Sequence, residues 1–458
     1  MASAQSGRTV DYLLIGGGLA SATAAEEIRK RDPNGSIVIV CKEPQRPYNR
    51  PPLSKEYLRG EINAEGTYGK GGIYVHEPGW HDENHVELLR GEAVALDPAA
   101  KTVRMANGQT LTYGKLLLAM GGRPRILDLP NANLPGIHCL RTVEDSDAIR
   151  NELNEAGKRV VVVGSGFIGL ETAANSLFRH AKATIVEPQA RPWPSMLPER
   201  LSQYLSSQYA RRGAELLYQH TVTGFTAGED GRVNGVQVSP VADSAATSAQ
   251  TVSCDLAIIG VGILLNSDLA QQAGLEVDPR QGVVVNDHLQ TSAPDIYAAG
   301  DLAAYPDPIL GQMHFEHWDN AIATGQTAAA NMTGGDEIYR HVPYFFSDQF
   351  DLAINMLGYP SDKAHVVVRG NLTQDQFSAY FIEDGRLRGA MQVNDDKQFD
   401  LVRDLIAEDV PVPNPHVLMD EHFDLASLRT AAAEAPTTET SATPPEPAPA
   451  ADTSPDGQ

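Results

Sequence analysis

The chain has 458 residues, long enough for two or three domains with ample core. Its 36 lysines and arginines stand against 59 aspartates and glutamates, a formal net charge of −23, which argues against a nucleic-acid partner. No apolar run is long enough for a membrane span. Met1 to Val10 carries no apolar segment of signal-peptide type, so the cytoplasm is the expected compartment. Cys41, Cys139 and Cys254 lie far apart, with no metal or redox spacing, and are expected to pack as small apolar groups.

Residues 12–15 are short, apolar and end in glycine, the pattern of a buried parallel strand. Gly16-Gly17-Gly18-Leu19-Ala20-Ser21 follows, then an alanine-rich helix over residues 20–30. Glycines there let the chain turn sharply and let backbone approach a pyrophosphate, which sits on the helix N-terminus. Ser21 takes the third glycine position and is still small enough for close helix–strand packing. The next strand covers residues 36–41, and Glu43 follows 22 residues after Ser21, where a carboxylate holds a ribose diol. His76, His81 and His85 fall within ten residues in a loop-like stretch without cysteine, and no metal site is expected there.

A second copy of this pattern lies 148 positions on. A strand over 159–163 leads into Gly164-Ser165-Gly166-Phe167-Ile168-Gly169, with a helix from about Phe167. The following strand, 183–186, ends at Glu187, 18 residues after Gly169. That carboxylate accepts from both ribose hydroxyls and repels a 2′-phosphate, which favours NADH over NADPH, although Arg191 lies near. Two dinucleotide sites on one chain imply electron transfer between nucleotides.

Each copy is followed by an apolar strand ending in glycine: 116–118 before Ala119-Met120-Gly121-Gly122, and 256–259 before Gly260-Val261-Gly262. This reads as an internal duplication with the second unit inserted into the first. The expected fold is α/β: two Rossmann-like nucleotide-binding domains, the second inserted in the first, plus a small C-terminal α+β domain. The expected boundaries are 1–123 and 256–335 for the first domain, whose motifs resume near Ile263, 124–255 for the inserted domain and 336–428 for the C-terminal domain. The resemblance given below makes the first an FAD domain and the inserted one an NAD domain. In that last part strands are expected over 364–369 and 377–382 and a helix over 396–408. Residues 240–248 read as a loop. The tail, 429–458, is Ala/Pro/Thr/Glu-rich with five acids and one base, and is expected to be disordered.

Across about residues 9–428 these motifs resemble the FAD-dependent pyridine nucleotide-disulfide oxidoreductase superfamily, in its ferredoxin-reductase and apoptosis-inducing-factor branch. The branch marker is Tyr48-Asn49-Arg50-Pro51-Pro52-Leu53-Ser54-Lys55, with no redox cysteine where the thiol branch carries one. Leu118-Ala119-Met120-Gly121-Gly122-Arg123 resembles the family's first glycine turn, with Met120 for threonine. Gly260-Val261-Gly262-Ile263-Leu264-Leu265 resembles the second, with Leu265 for proline. Ala298-Ala299-Gly300-Asp301, Glu316-His317-Trp318 and Phe345-Phe346-Ser347-Asp348 match further flavin and C-terminal signatures.

The resemblance implies roles. Gly16, Gly18, Leu19, Ala20, Glu43, Arg50, Arg123, Gly300 and Asp301 bind FAD, Asp301 through the ribityl chain. Glu316, His317 and Trp318 cover the flavin ring, Trp318 as wall or electron exit, and the helix after Trp318 aims its N-terminus at the ring. Gly164, Gly166, Phe167, Ile168, Gly169, Glu187 and Gly262 bind NADH. Lys55 pairs with Glu171 beside flavin N5, where the nicotinamide stacks, and Phe346 is a further cofactor-binding residue, standing where related chains often have tryptophan or tyrosine. The implied enzyme is an FAD-dependent NADH oxidoreductase: a hydride passes from NADH to N5, then electrons pass to a ferredoxin-type partner. The acidic charge opposes docking of an equally acidic ferredoxin, and Arg211-Arg212 is a small patch. Two alternatives follow: a reductase of a small organic radical or quinone, similar to monodehydroascorbate reductases, and an NADH-sensing flavoprotein of apoptosis-inducing-factor type. A homodimer stays open.

Overall fold

The computed structural model describes residues 8–241 and 250–429. The chain begins with the strand Arg8–Ile15, whose Leu13 and Leu14 are fully buried. It pairs in parallel with Ile37–Cys41 on one side and Thr110–Leu118 on the other. Val86–Arg90 extends one edge, Ile296–Ala298 adds in parallel to Thr110–Leu118, and the antiparallel pair Thr102–Met105 and Ala93–Asp97 completes a seven-stranded sheet. Ile37–Cys41 is buried at every position, as a parallel strand covered on both faces requires. The helices Leu19–Arg31 and Trp318–Met332 pack tightly together: a Cβ at Gly325 would lie 2.5 Å from the Ala20 carbonyl oxygen.

The second sheet is wholly parallel, in the order Glu215–Tyr218, Lys182–Glu187, Arg159–Val163, Leu256–Ile259, Ile137–Cys139. Leu256–Ile259 lies between two strands of this sheet, so the chain stays in it past residue 255, where the sequence suggested a return to the first unit. The crossing point is a two-stranded ribbon in which Ile263–Leu265 pairs antiparallel with Gly122–Pro124. A small antiparallel sheet of His220–Ala227, Val233–Pro240 and Gln250–Ser253 flanks the second sheet. The loop read over 240–248 lies outside the described residues except for Pro240 and Val241, and so does the tail from Thr430.

The third sheet is antiparallel, in the order Tyr344–Gln349, Leu352–Gly358, Arg386–Val393, Gln376–Glu383, His365–Asn371. One helix, Phe399–Ala407, packs on it and is shorter than the expected 396–408. Asp375 ties this sheet to the second unit: it accepts from Tyr204 at 2.9 Å and Gln208 at 2.7 Å and pairs with Arg211 at 2.5 Å. Among the described residues no helix is long and apolar enough to cross a membrane.

Candidate functional site

The first glycine turn is built for close approach. Gly16 has φ +117°, and a Cβ there would sit 2.2 Å from the Ala119 carbonyl oxygen. At Gly17 a Cβ would strike Cys41 Sγ at 2.7 Å. Gly18 caps the helix with open space above it, and Leu19 and the buried Ala20 begin the helix. Beside this turn, Glu43 Oε1 pairs with Arg50 at 2.5 Å and its other oxygen accepts from Tyr48. Arg50 also donates to the Arg141 carbonyl, and Arg141 Nη2 donates to Asp301 Oδ2 at 3.1 Å. Gly300, at φ +69°, donates its N–H to Thr324 Oγ at 2.9 Å, which fixes Asp301 at the start of its turn.

Two buried polar atoms here lack a protein partner, Arg141 Nε and Ser21 Oγ. Their unmet hydrogen-bonding capacity is free for a ligand. A cation, free helix N–H groups and a turn in which Gly16 and Gly17 leave no room for a Cβ fit an anionic dinucleotide such as FAD.

The second turn repeats the design. Gly164 has φ +99°, and a Cβ at Gly169 would meet Gly164 O at 2.1 Å. Gly166 caps the helix Phe167–Phe178, and Ile168 is partly exposed on it. Glu187 Oε2 accepts from the Ser165 N–H at 2.8 Å and hydroxyl at 2.9 Å. Ser165, Gly166, Phe167, Glu187 and Trp193 line a pocket of about 210 Å³. Arg191 donates to the Pro194 carbonyl at 3.2 Å and lies 3.9 Å from Asp362, a carboxylate of the third sheet's loops.

Lys55, directly after the turn Pro51–Ser54, meets Glu171 on the helix that leaves the second glycine turn. Lys55 Nζ lies 2.8 Å from Glu171 Oε2, with side-chain exposures of 5% and 2%. Phe346 places its ring 5.2 Å from the ammonium. Trp318 begins its helix 6.2 Å from the Phe346 ring, and its indole donates to Asn49 at 2.6 Å. His317, the residue before, stacks on Phe345 at 4.5 Å, and burial pushes its imidazole down to about 4, so the ring is neutral. Phe167 touches Trp193, Phe345 and His317 and therefore stands between the nucleotide pocket and the His317 side.

Three expected residues stand apart from the converging set. Arg123 is surface-exposed on the crossing ribbon, its guanidinium taken by Asn266 at 2.8 Å and Asp268 at 3.3 Å. Glu316 is exposed and faces His314 at 3.3 Å. Gly262 has φ +90° with nothing within 4 Å of an added Cβ. In the histidine stretch, Trp80–Glu83 forms a helical turn, where His76 stacks on Trp80 at 3.7 Å. Sequence reasoning missed Arg141, Asn49 as a partner of Trp318, and the hydroxyls of Ser54 and Ser347, both of which donate to Glu171. Asn49 and Ser54 lie in the quoted branch marker, so a signal was there; Arg141 has none beyond its place before the Thr142 helix cap.

Comparison with known proteins agrees with this geometry. The family model described as pyridine nucleotide-disulphide oxidoreductase matches residues 10–325, and the reductase C-terminal model matches 344–429. Rhodocoxin reductase of Rhodococcus erythropolis is 33% identical over 91% of this chain and 93% of its own length. The ferredoxin reductase for the CYP199A2 system of Rhodopseudomonas palustris superposes with a TM-score of 0.83 at 32% identity, over 92% of this chain and 100% of that one. Putidaredoxin reductase in its covalent complex with putidaredoxin gives 0.84 at 30% identity, over 93% and 99%. The chain belongs to the pyridine nucleotide-disulphide oxidoreductase family, in its ferredoxin-reductase branch, and is an FAD-dependent NAD(P)H oxidoreductase.

Proposed function

We propose that this enzyme oxidises NADH and passes the electrons to a ferredoxin-type iron–sulfur protein that serves an oxygenase or P450-type system. The observation that carries this reading is the buried pair of Lys55 with Glu171, on the helix that leaves the second glycine turn. The further partners of this carboxylate are the hydroxyls of Ser54 and Ser347 rather than a thiol. Cys41 lies under Gly17, and Cys139 and Cys254 belong to the second unit. Burial pushes Cys41 up to about 11 and Cys254 up to about 12, so both stay protonated and unsuited to a disulfide relay. Rhodocoxin reductase and the putidaredoxin complex pair related reductases with small redox partners by name.

The chain's residues divide the work. Gly16, Gly17 and Gly18 with Arg141, Asp301, Arg50 and Glu43 hold FAD, and the Gly164 turn with Glu187 holds NADH. FAD held by these residues would supply a hydride acceptor that can release electrons singly. Lys55 supplies a fixed positive charge there, and Glu171 holds the ammonium in place. The Trp318–Met332 helix presents the positive end of its dipole on the same side. Glu187 favours NADH, because its carboxylate is ready for a ribose diol and repels a 2′-phosphate. The FAD unit is proposed as 1–123 plus the return after the Leu256–Ile259 strand, the NAD unit as the insertion between, and 336–428 as the C-terminal unit. The proposed compartment is the cytoplasm, where free buried thiols persist.

The test is anaerobic. Oxidised protein is mixed with NADH, the flavin absorbance is followed, and acceptors are added one at a time. Rapid reoxidation by a ferredoxin, with slow reoxidation by quinones and organic radicals, is the expected result. Preference for the small oxidants, or a reduced flavin that no acceptor discharges, overturns it.

A further inference from the structure

The strand Tyr344–Gln349 alternates, with Phe345, Ser347 and Gln349 buried and Tyr344, Phe346 and Asp348 half-buried on the other face. Two of its three core-facing positions are therefore polar. Burying a hydroxyl or an amide is unfavourable unless each finds a partner. Both do, and the partners form one line. Tyr209, 1% exposed, shares its hydroxyl proton between Leu170 O at 2.8 Å and Gln349 Oε1 at 2.9 Å. Gln349 Nε2 donates to Ser347 Oγ at 3.0 Å, and Ser347 Oγ donates to Glu171 Oε1 at 2.7 Å.

This line has only one direction. The Glu171 carboxylate can only accept, so Ser347 donates to it and must itself accept from the Gln349 NH₂, which turns the amide carbonyl toward Tyr209. Glu171 Oε2 is taken by Lys55 at 2.8 Å and by Ser54. Both carboxylate oxygens are thus held by named donors, from the first unit on one side and from the third sheet on the other.

We propose that Ser347, set by Gln349 and Tyr209, is a positioning residue that fixes the Glu171 carboxylate and through it the Lys55 ammonium, so that the C-terminal sheet tunes the hydride-transfer site. Without Ser347 the Oε1 atom is buried with no donor, and the carboxylate turns from Lys55 to find one. This rests on the reading of Lys55 as the charge beside the reacting centre.

The test uses the full-length holoenzyme with three readouts: the rate of flavin reduction by NADH, the NADH dissociation constant, and the midpoint potential of the bound flavin by dye equilibration. In Ser347→Ala the reduction rate falls on the order of tenfold. The potential becomes more negative, and NADH affinity changes less than about twofold. Ser347→Thr, which keeps the hydroxyl, restores rate and potential. In a Lys55→Met background Ser347→Ala adds nothing further, the non-additivity expected of one coupled unit. Tyr209→Phe gives a smaller change in the same direction and stands in if Ser347→Ala does not fold. A lower melting temperature with unchanged rate and potential overturns the proposal, provided Lys55→Met alters both. If Lys55→Met leaves both unchanged, the reading of Lys55 itself has failed.

Discussion

Arg141 donates to Asp301 across 3.1 Å, although 160 positions separate them in the chain. Its Nε is buried without a protein partner, and Glu43 reaches the same place through Arg50. Arg141→Ala is expected to weaken FAD binding by about ten- to a hundredfold, the loss of one charge-assisted contact. Arg123→Ala is expected to change it less than about twofold, because Asn266 and Asp268 occupy that guanidinium. Titration of apoprotein with FAD by fluorescence compares the two; equal effects would return Arg123 to the site.

Removing one partner of the Lys55–Glu171 pair strands a buried charge. Lys55→Met is expected to reduce stability by about 3–5 kcal/mol in urea titrations. Replacing both residues, Lys55→Met with Glu171→Leu, is expected to recover a good part of that loss. Similar costs for the single and double variants would show that the pair does not act as a pair.

Cofactor choice is expected to turn on Glu187. Glu187→Ala raises the KM for NADH about tenfold, losing the ribose contacts, and lifts the repulsion of NADPH. Adding Asp362→Asn, which frees Arg191 from its carboxylate neighbour 3.9 Å away, improves NADPH further. Steady-state kcat/KM with both nucleotides measures this; no gain with NADPH in either variant would refute it.

His81 is 8% exposed with Nε2 unpartnered, and burial, reinforced by His76 and Arg46, pushes it down to about 4. Its ordinary value is 6.5. The unfolded chain therefore takes up a proton that the folded chain refuses as pH falls below 6.5. The stability present above that pH is lost on the way down to about 4. His81→Leu is expected to flatten the fall in apoprotein stability between about pH 6.5 and 5 by on the order of 1 kcal/mol. Parallel curves for the two proteins would exclude this histidine as the cause.

Both glycine turns and their flanking strands were legible because their signals are local. Residues 159–163 were read as a strand and form the strand Arg159–Val163. A short apolar run ending in glycine and followed by a small-residue helix has few other stable conformations. Glu171 and Lys55 came from resemblance, and the structure brings them to 2.8 Å. The boundary drawn at 255 cuts off Leu256–Ile259, although the order of motifs assigns that strand to the second copy and has the first unit resume near Ile263. In the structure the strand pairs with Arg159–Val163, and Ile263–Leu265 pairs with Gly122–Pro124.

By itself, the sequence determined that the chain turns tightly on glycine twice, places a carboxylate after each second strand, and carries no cysteine near Lys55. These follow from backbone sterics and residue chemistry over a few neighbours. Only the tertiary structure decided that Arg141 rather than Arg123 reaches Asp301, and that Ser347, Gln349 and Tyr209 lead into Glu171. Hydrogen bonds between distant segments depend on how three sheets are docked, and no local pattern in the chain encodes that docking.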